Sequence, residues 1–432
     1  MKLPLGLLIP VLALLLPSPG LNAQITFILG SSPGVGADPN SVAAADVNGD
    51  SRLDLISANQ SDDTLSVLTN NGTGSFALAA SPGVGFLPQS VIAADVNGDG
   101  KVDLICGNNG DGTLSILTNN GAGGFAISSS PTVGSGPAAV TSADVIGNGK
   151  VDLICANFFD NTLSVLTNTG SGDFVLAASP GVGNGPTSVT AITNLDGKVE
   201  LICANYFGSS LSVLTNAGGG GFLLADTLMV GSNPDSVIAA DVNGDGQADL
   251  ICANFFDSTL SVLTNNGSGR FALASTPGVG LRPSSVTAAD VSGDGKLDLI
   301  TANYLDSTLS VLTNNGHGGF ALASSPSVGG SPEAVTAADV NGDAQVDLIS
   351  ASQDDHTLSV MINVPALSIN PLDAGLIVSW PSFWSNWTIQ QNSNLATTNW
   401  SAAGYGISNN GTNRSITIVP PPDKLFFRLA YP

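Results

Sequence analysis

The 432-residue sequence predicts an all-β chain: a seven-bladed β-propeller of four-stranded blades, closed by its own N-terminal strand, with a small β-sandwich-like domain after it. Three observations predict this. First, the nonapeptide Asp95-Val-Asn-Gly-Asp-Gly-Lys-Val-Asp103 recurs in variant form from Asp46, Asp144, Asp241, Asp290 and Asp339. The intervals along the chain are 49, 49, 97, 49 and 49 residues, and the double interval holds a degraded copy near Thr193. Second, each interval carries four short apolar runs bounded by Gly, Asn and Pro, the pattern of strands and turns. One such sheet cannot bury both its faces, whereas seven packed around an axis can. Third, the last copy lacks a fourth run, and the beginning of the chain supplies one.

Taken in order, the chain opens Met1-Lys2, stays apolar from Leu3 to Leu16 and reaches a small residue at Ala23. This reads as a secretory signal peptide over residues 1–23, with a mature protein from about Gln24, exported to the cell surface or beyond. The apolar run is short and interrupted by Pro10, so membrane insertion is not expected; retention as an N-terminal anchor is the alternative. The ring is expected over residues 24–364. In its second copy the runs are Ser90–Val96, Val102–Cys106, Thr113–Thr118 and Gly124–Ser128, with the nonapeptide between the first two. The fourth run carries one Phe per copy, from Phe76 to Phe320. The seventh copy ends at Asn363 without one, while Phe27 lies 49 residues before Phe76. The segment from Ile25 is therefore expected beside Leu358–Ile362, which ties the ring shut and removes an open sheet edge.

Residues 365–432 follow a different pattern and hold all four tryptophans, Trp380, Trp384, Trp387 and Trp400. Runs such as Gly375–Trp380, Trp387–Gln390, Ser415–Val419 and Leu425–Leu429 read as strands of a small β domain. Its tryptophans either fill that core or offer a platform for sugar stacking.

Net charge is −23 although only 10% of residues are charged, so the imbalance reflects scarce Lys and Arg. Five well-formed nonapeptides with three Asp each hold 15 of the 34 acidic residues. This acidity argues against nucleic acid or anionic lipid as a partner. The four cysteines, Cys106, Cys155, Cys203 and Cys252, share one repeat position, occupied elsewhere by Ser57, Thr301 and Ser350. Equivalent positions of successive repeats lie too far apart to bridge, so free buried thiols are expected.

Side-chain oxygens at positions 1, 3, 5 and 9 of the nonapeptide, with Gly at position 6 where the chain turns, suit a hard cation such as Ca²⁺. The repeat resembles the FG-GAP/VCBS family of propeller repeats, found in integrin α-subunit heads and in many secreted bacterial proteins. The nonapeptide carries the likeness, with the following Asp-Leu-Ile, the run Thr-Leu-Ser-Val-Leu-Thr-Asn-Asn-Gly and the later Gly-Phe. The resemblance implies a Ca²⁺ site between the first and second strands of a blade, built from side chains at positions 1, 3, 5 and 9 and the carbonyl at position 7. Carried onto this chain, those positions are Asp46, Asn48, Asp50, Arg52 and Asp54; Asp95, Asn97, Asp99, Lys101 and Asp103; and Asp241, Asn243, Asp245, Gln247 and Asp249. They continue with Asp290, Ser292, Asp294, Lys296 and Asp298, and with Asp339, Asn341, Asp343, Gln345 and Asp347. Ser51 and Ala344 stand where the other copies have the turn Gly, so weaker sites are expected there. The third copy has Ile146 and Asn148 at positions 3 and 5, and the fourth has lost a residue around Leu195; both are expected to be empty. About five Ca²⁺ sites follow, with affinities of roughly 10⁻⁴ to 10⁻³ M by analogy with extracellular modules.

At the opposite end, the loops between second and third strands read Phe158-Phe159, Tyr206-Phe207, Phe255-Phe256 and Tyr304-Leu305 in blades three to six. In blades one, two and seven they read Gln60-Ser-Asp-Asp63, Asn109-Gly-Asp111 and Gln353-Asp-Asp-His356, so an aromatic arc faces an acidic one. The aromatic arc either binds a glycan or an extracellular protein segment, or packs between blades. The leading functional reading is a calcium-binding, monomeric binding or adhesion module without catalysis. One alternative is a polysaccharide lyase or hydrolase using His356 with Asp354, Asp355, Asp62 and Asp63; another is a purely structural module of a surface assembly.

Overall fold

The computed structural model describes residues 25–432 apart from 171, 195, 266, 268, 366, 373–374, 383–386, 394–398, 412, 420–425 and 431–432. The expected signal peptide, Leu195 and Trp384 lie outside the described residues.

Seven four-stranded antiparallel sheets follow one another along the chain. Blade one is built from Pro39–Ala45, Asp54–Asn59, Thr64–Asn70 and Phe76–Ala80, in that order from the axis outward. Blade seven uses Pro332–Ala338, Asp347–Ser352 and Thr357–Val364, and its fourth strand is Thr26–Ser31 from the other end of the chain. The pairing sets Phe27 opposite Asn363, Ile28 opposite Ile362 and Ser31 opposite Val360. First strands of neighbouring blades touch all the way round, including Pro332–Ala338 against Pro39–Ala45, so the ring is closed.

The core lies between blades. Ile56, Ala58, Leu65 and Val67 of blade one pack on Leu104, Cys106 and Leu117 of blade two, and blade seven meets blade one in the same way through Ile349, Val360, Leu55 and Leu68. This explains why second strands such as Asp54–Asn59 are buried at every residue and lack polar–apolar alternation: a neighbouring sheet covers each face. The outermost strands keep one covered face. Their Phe residues (Phe76, Phe125, Phe174) turn toward the preceding blade, while Leu78, Leu176, Leu273 and Leu322 stay about half exposed.

All four cysteines are free and buried, and burial pushes their thiols far above the ordinary range. Their neighbours show what Ser or Thr does at this position. The Ser57 and Thr301 hydroxyls donate to Oδ1 of Asn59 and Asn303, at 3.1 and 2.8 Å. Where Cys replaces them, Oδ1 of Asn108, Asn205 and Asn254 is buried without a partner, whereas Asn157 Oδ1 accepts from the Gly134 N–H. A buried acceptor left unpaired costs about 1–3 kcal/mol. Cys203→Ser is therefore expected to raise the melting temperature by about 2 °C or more, and Cys155→Ser to leave it nearly unchanged; calorimetry on the two variants checks this.

The C-terminal residues form two further sheets. One orders Ser368–Leu372, Gly375–Pro381, Asn413–Ile418 and Ser408–Asn409; the other orders Ser401–Ala402, Thr388–Asn392 and Phe426–Ala430. They enclose a separate apolar cluster with Trp380, Val378, Ile389, Ile416 and Ile418 at its centre and Trp387 against it, which assigns those two tryptophans to packing. Trp400 lies under the Arg428 guanidinium, 4.6 Å from ring centroid to Cζ.

Candidate functional site

The nonapeptide loops close on themselves. In blade one, Asp46 Oδ1 accepts from the Gly49 and Asp50 N–H groups at 2.8 and 3.2 Å, and its Oδ2 accepts from Ser51 N–H at 2.8 Å. Asn48 Oδ1 accepts from Asp50 N–H and Asp50 Oδ1 from Arg52 N–H. Asp95, Asp241, Asp290 and Asp339 repeat the first-position pattern, and so does Asp144, although Ile146 follows it. The loop shape therefore does not depend on a full set of oxygen ligands. The sixth residue is left-handed throughout, with φ of 66° at both Ser51 and Ala344 against 81° at Gly100. Holding a side chain there costs on the order of 1 kcal/mol.

The ninth-position carboxylates turn inward. Asp103 is fully buried; its Oδ1 accepts from Asn119 N–H at 2.9 Å and its Oδ2 from Val96 N–H at 3.2 Å. Asp54, Asp249 and Asp347 are held alike, Asp298 Oδ2 accepts from Ser292 N–H instead, and burial raises all four, Asp347 up to about 8. Burial also raises Asp343, to about 6. The seventh-position chains stay on the surface, where Lys101, Lys296 and Arg52 reach the fifth-position carboxylates at 3.5, 3.1 and 4.0 Å. Such exposed pairs contribute little.

For Ca²⁺ the fit divides. Hard oxygens at the first, third and fifth positions have the right chemistry. Convergence is lacking: among the described residues no three His, Cys, Asp or Glu side chains gather closely enough to hold a metal.

Next to each loop stands a device that the sequence reading passed over. Except in blade five, the Asn at or near the end of each third strand donates through Nδ2 to the carbonyl of the second loop residue in the preceding blade. Asn119 reaches Val47, Asn168 reaches Val96, Asn216 reaches Val145 and Asn314 reaches Val242, at 2.7 to 2.8 Å. Asn363 meets Val291, and Asn70 meets Val340 across the closure. Among the described residues Asn265 has no such bond, since blade four, which would supply the acceptor, carries the degraded loop; its Nδ2 donates to Ala248 O of its own blade at 3.3 Å. The recurrence of Asn at this position was the available signal.

At the other end, the aromatic residues form a continuous ladder. Phe158 stacks on Phe207 at 5.6 Å, Tyr206 on Phe255 at 6.1 Å, and Phe255 on Tyr304 at 6.3 Å, each step crossing from one blade to the next. Phe158, Tyr206, Phe255 and Tyr304 are half-buried, whereas Phe159, Phe207 and Phe256 are 65, 59 and 56% exposed. Phe207 and Phe256 thus combine exposure with contact to the ring of the preceding blade. Arg282 lies with its Cζ 5.6 Å from the centroids of both Phe255 and Phe256, and it is the single Lys or Arg in the loops at this end.

The acidic arc is corrected. Asp62, Asp111 and Asp355 occupy the same turn position as Asp160, Asp257 and Asp306 of the aromatic blades, and each accepts a backbone N–H from the loop entering its own blade, at 2.6 to 2.8 Å. His356 also has a local role: its Nδ1 accepts from Asp38 N–H at 3.1 Å, as Asp63 Oδ1 accepts from Leu87 N–H and Asn161 Oδ1 from Gly185 N–H. These residues shape loops: Asp62 and His356 meet across the closure on consecutive N–H groups of one loop, those of Ala37 and Asp38. His317 is exposed at the opposite end.

One end of the aromatic ladder, Phe158 and Phe159, lines a cavity of about 420 Å³ at the axis. Its wall takes side chains from the first strands, among them Asn40, Gln89, Thr187, Asp235 and Glu333, and from the loops, among them Gln60, Asn109, Phe158 and Gln353. Gln353 Nε2 donates to Asn40 Oδ1 across the closure at 3.1 Å.

Closed sheets carrying a recurring Asp loop define a repeat propeller. A model described as FG-GAP-like repeat matches residues 46–106, 95–155, 193–252, 241–301 and 290–350, together more than half of the chain. The chain belongs to the FG-GAP-like repeat family. Among solved structures, BBS1N in complex with ARL6DN is similar over 78% of this chain and 96% of that one, at 13% identity and a TM-score of 0.56. The periplasmic gluconolactonase PpgL of Pseudomonas aeruginosa is similar over 68 and 86%, at 16% identity and a TM-score of 0.54. At these identities the likeness is one of fold alone. No match is found among curated protein sequences.

Proposed function

We propose that this chain is an exported, non-catalytic binding module whose ligand, a glycan, sits at the cavity end of the propeller. The observation that carries this is the composition of the cavity. Amides such as Asn40, Gln60, Gln89 and Gln353 each offer a donor and an acceptor, Thr187 adds a hydroxyl, and Phe159 adds an exposed phenyl ring. Paired donors and acceptors beside an aromatic face match the vicinal hydroxyls and the C–H face of a sugar. A protein segment would favour a more apolar floor. The deciding experiment is a glycan and matrix-protein array, run with the wild type and with Phe159→Ala and Phe256→Ala. Glycan binding weakened about tenfold at unchanged melting temperature is expected, in line with the loss of one stacking contact. Loss of stability at unchanged binding would return both rings to packing, and binding confined to proteins would replace the ligand class.

The same proposal gives the opposite end to Ca²⁺, held by first-, third- and fifth-position oxygens in blades one, two, five, six and seven, with the ion supplying positive charge among clustered carboxylates. The ninth-position carboxylates, fully buried where those of the first position are only half-buried, keep their structural role. Several ions binding only the folded state would raise stability by mass action. Chelation with EDTA is expected to lower the melting temperature by several degrees, and millimolar Ca²⁺ to restore it. An identical melt with and without EDTA would remove the ion from the account.

A further inference from the structure

Asp235 and Glu333 stand at equivalent positions of the first strands of blades five and seven, with Ser284 of blade six between them, and all three line the axial cavity. The Ser284 hydroxyl is occupied, donating to Pro332 O at 2.8 Å. Both carboxyls are half-buried and neither makes a hydrogen bond or an ion pair with any described residue, whereas the fully buried ninth-position carboxylates such as Asp103 and Asp347 are tied to backbone N–H groups. Two unpaired acid groups facing one cavity are an unfavourable arrangement unless something enters to pair them. A hard divalent ion needs six to eight oxygens, and two carboxylates two blades apart are a poor start. A monovalent cation with several hydrogen-bond donors suits them better, and the amide carbonyls of Asn40 and Gln353 offer further acceptors. The neighbouring ring faces already hold a cation of the chain's own, the Arg282 guanidinium over Phe255 and Phe256.

We propose that the axial cavity takes a primary ammonium group of its ligand on Asp235 and Glu333. This rests on the cavity end being the ligand site and adds to it the charge of the ligand: an amino sugar, or a lysine side chain if the ligand is protein. The electrostatic setting makes the binding pH-dependent. Burial, then Glu333, pushes Asp235 up to about 8, and burial pushes Glu333 up to about 7. The other titratable or charged groups interacting with Asp235 are Tyr206, Cys252 and, through Tyr206, Arg282. Each acid attracts an ammonium more strongly once ionised, so binding of an amine that stays charged strengthens as pH rises from about 6 to 8 and releases protons.

The test is calorimetric titration of the full mature chain with three probes: a glucosamine tetramer, its fully N-acetylated counterpart and trilysine. At pH 7 the free-amine tetramer is expected to bind at least about tenfold more tightly than the acetylated one. Asp235→Asn and Glu333→Gln, with melting curves as the folding control, should each erase that difference while leaving the acetylated sugar unaffected. Trilysine, whose amines titrate near 10.4, reports the pH rise; if it binds while both sugars fail, the ammonium site stands and the glycan reading falls. Equal affinity for the free and acetylated tetramers overturns the ammonium site and leaves glycan binding intact. Binding by none of the three probes overturns both.

Discussion

A mature chain lacking residues 24–31 is expected to lose its sharp thermal transition, and a synthetic peptide of residues 24–34 to restore it in trans. The deleted strand is the outer edge of blade seven, and it brings Ile25 and Phe27 into a cluster with Ile300, Leu348 and Met361. Both side chains are more than nine-tenths buried. Burial of two such side chains contributes about 3 to 6 kcal/mol, a large share of the stability of an ordinary domain. Loss of the ladder also bares the backbone of Thr357–Val364 as an open edge, so the truncated chain should associate at micromolar concentration. Static light scattering and calorimetry with and without the peptide check both effects. An unchanged midpoint would mean that the ring does not depend on its seam.

The second large effect concerns the Asn bonds between blades. Asn119→Ala removes Nδ2 bonds to Val47 O and Val102 O, each 2.8 Å, and the Oδ1 bond from Gly121 N–H. Asn119 is only 5% exposed, so water cannot easily replace its donors. The expected loss is about 3 kcal/mol, or roughly 1 kcal/mol per bond. Asn265→Ala, which breaks two bonds within its own blade and none between blades among the described residues, should cost about two-thirds as much by the same reckoning. Urea midpoints of the two variants make the comparison inside one molecule. Equal losses would show that these bonds do not hold the blades together.

The two ends of the propeller differ in how much could be read from residue order. At the loop end nearly everything local was legible: the turn at the sixth residue, including left-handed Ser51 and Ala344, follows from a nine-residue pattern whose partners lie within the same loop. The inward turn of Asp103 was not, because its partner Asn119 N–H is 16 residues away across a strand pair. At the cavity end, Phe158 and Phe159 are adjacent in sequence and look alike, yet one stacks on the next blade and the other faces solvent. Asp62 and His356 were expected near each other across the closure, and the structure shows what holds each there: the adjacent N–H groups of Ala37 and Asp38. Asp235 and Glu333 are 98 residues apart and drew no notice until the ring brought their strands to one axis.

The amino-acid sequence by itself determined the number of blades, the four strands in each and the seam formed by Thr26–Ser31, because these follow from periodicity and from one missing run. Only the tertiary structure decided which polar side chains are spent on joining blades and which remain to meet a ligand. Periodicity records what every repeat has in common, whereas a site on the axis is made from the residues in which repeats differ, and closure of the circle alone sets those residues side by side.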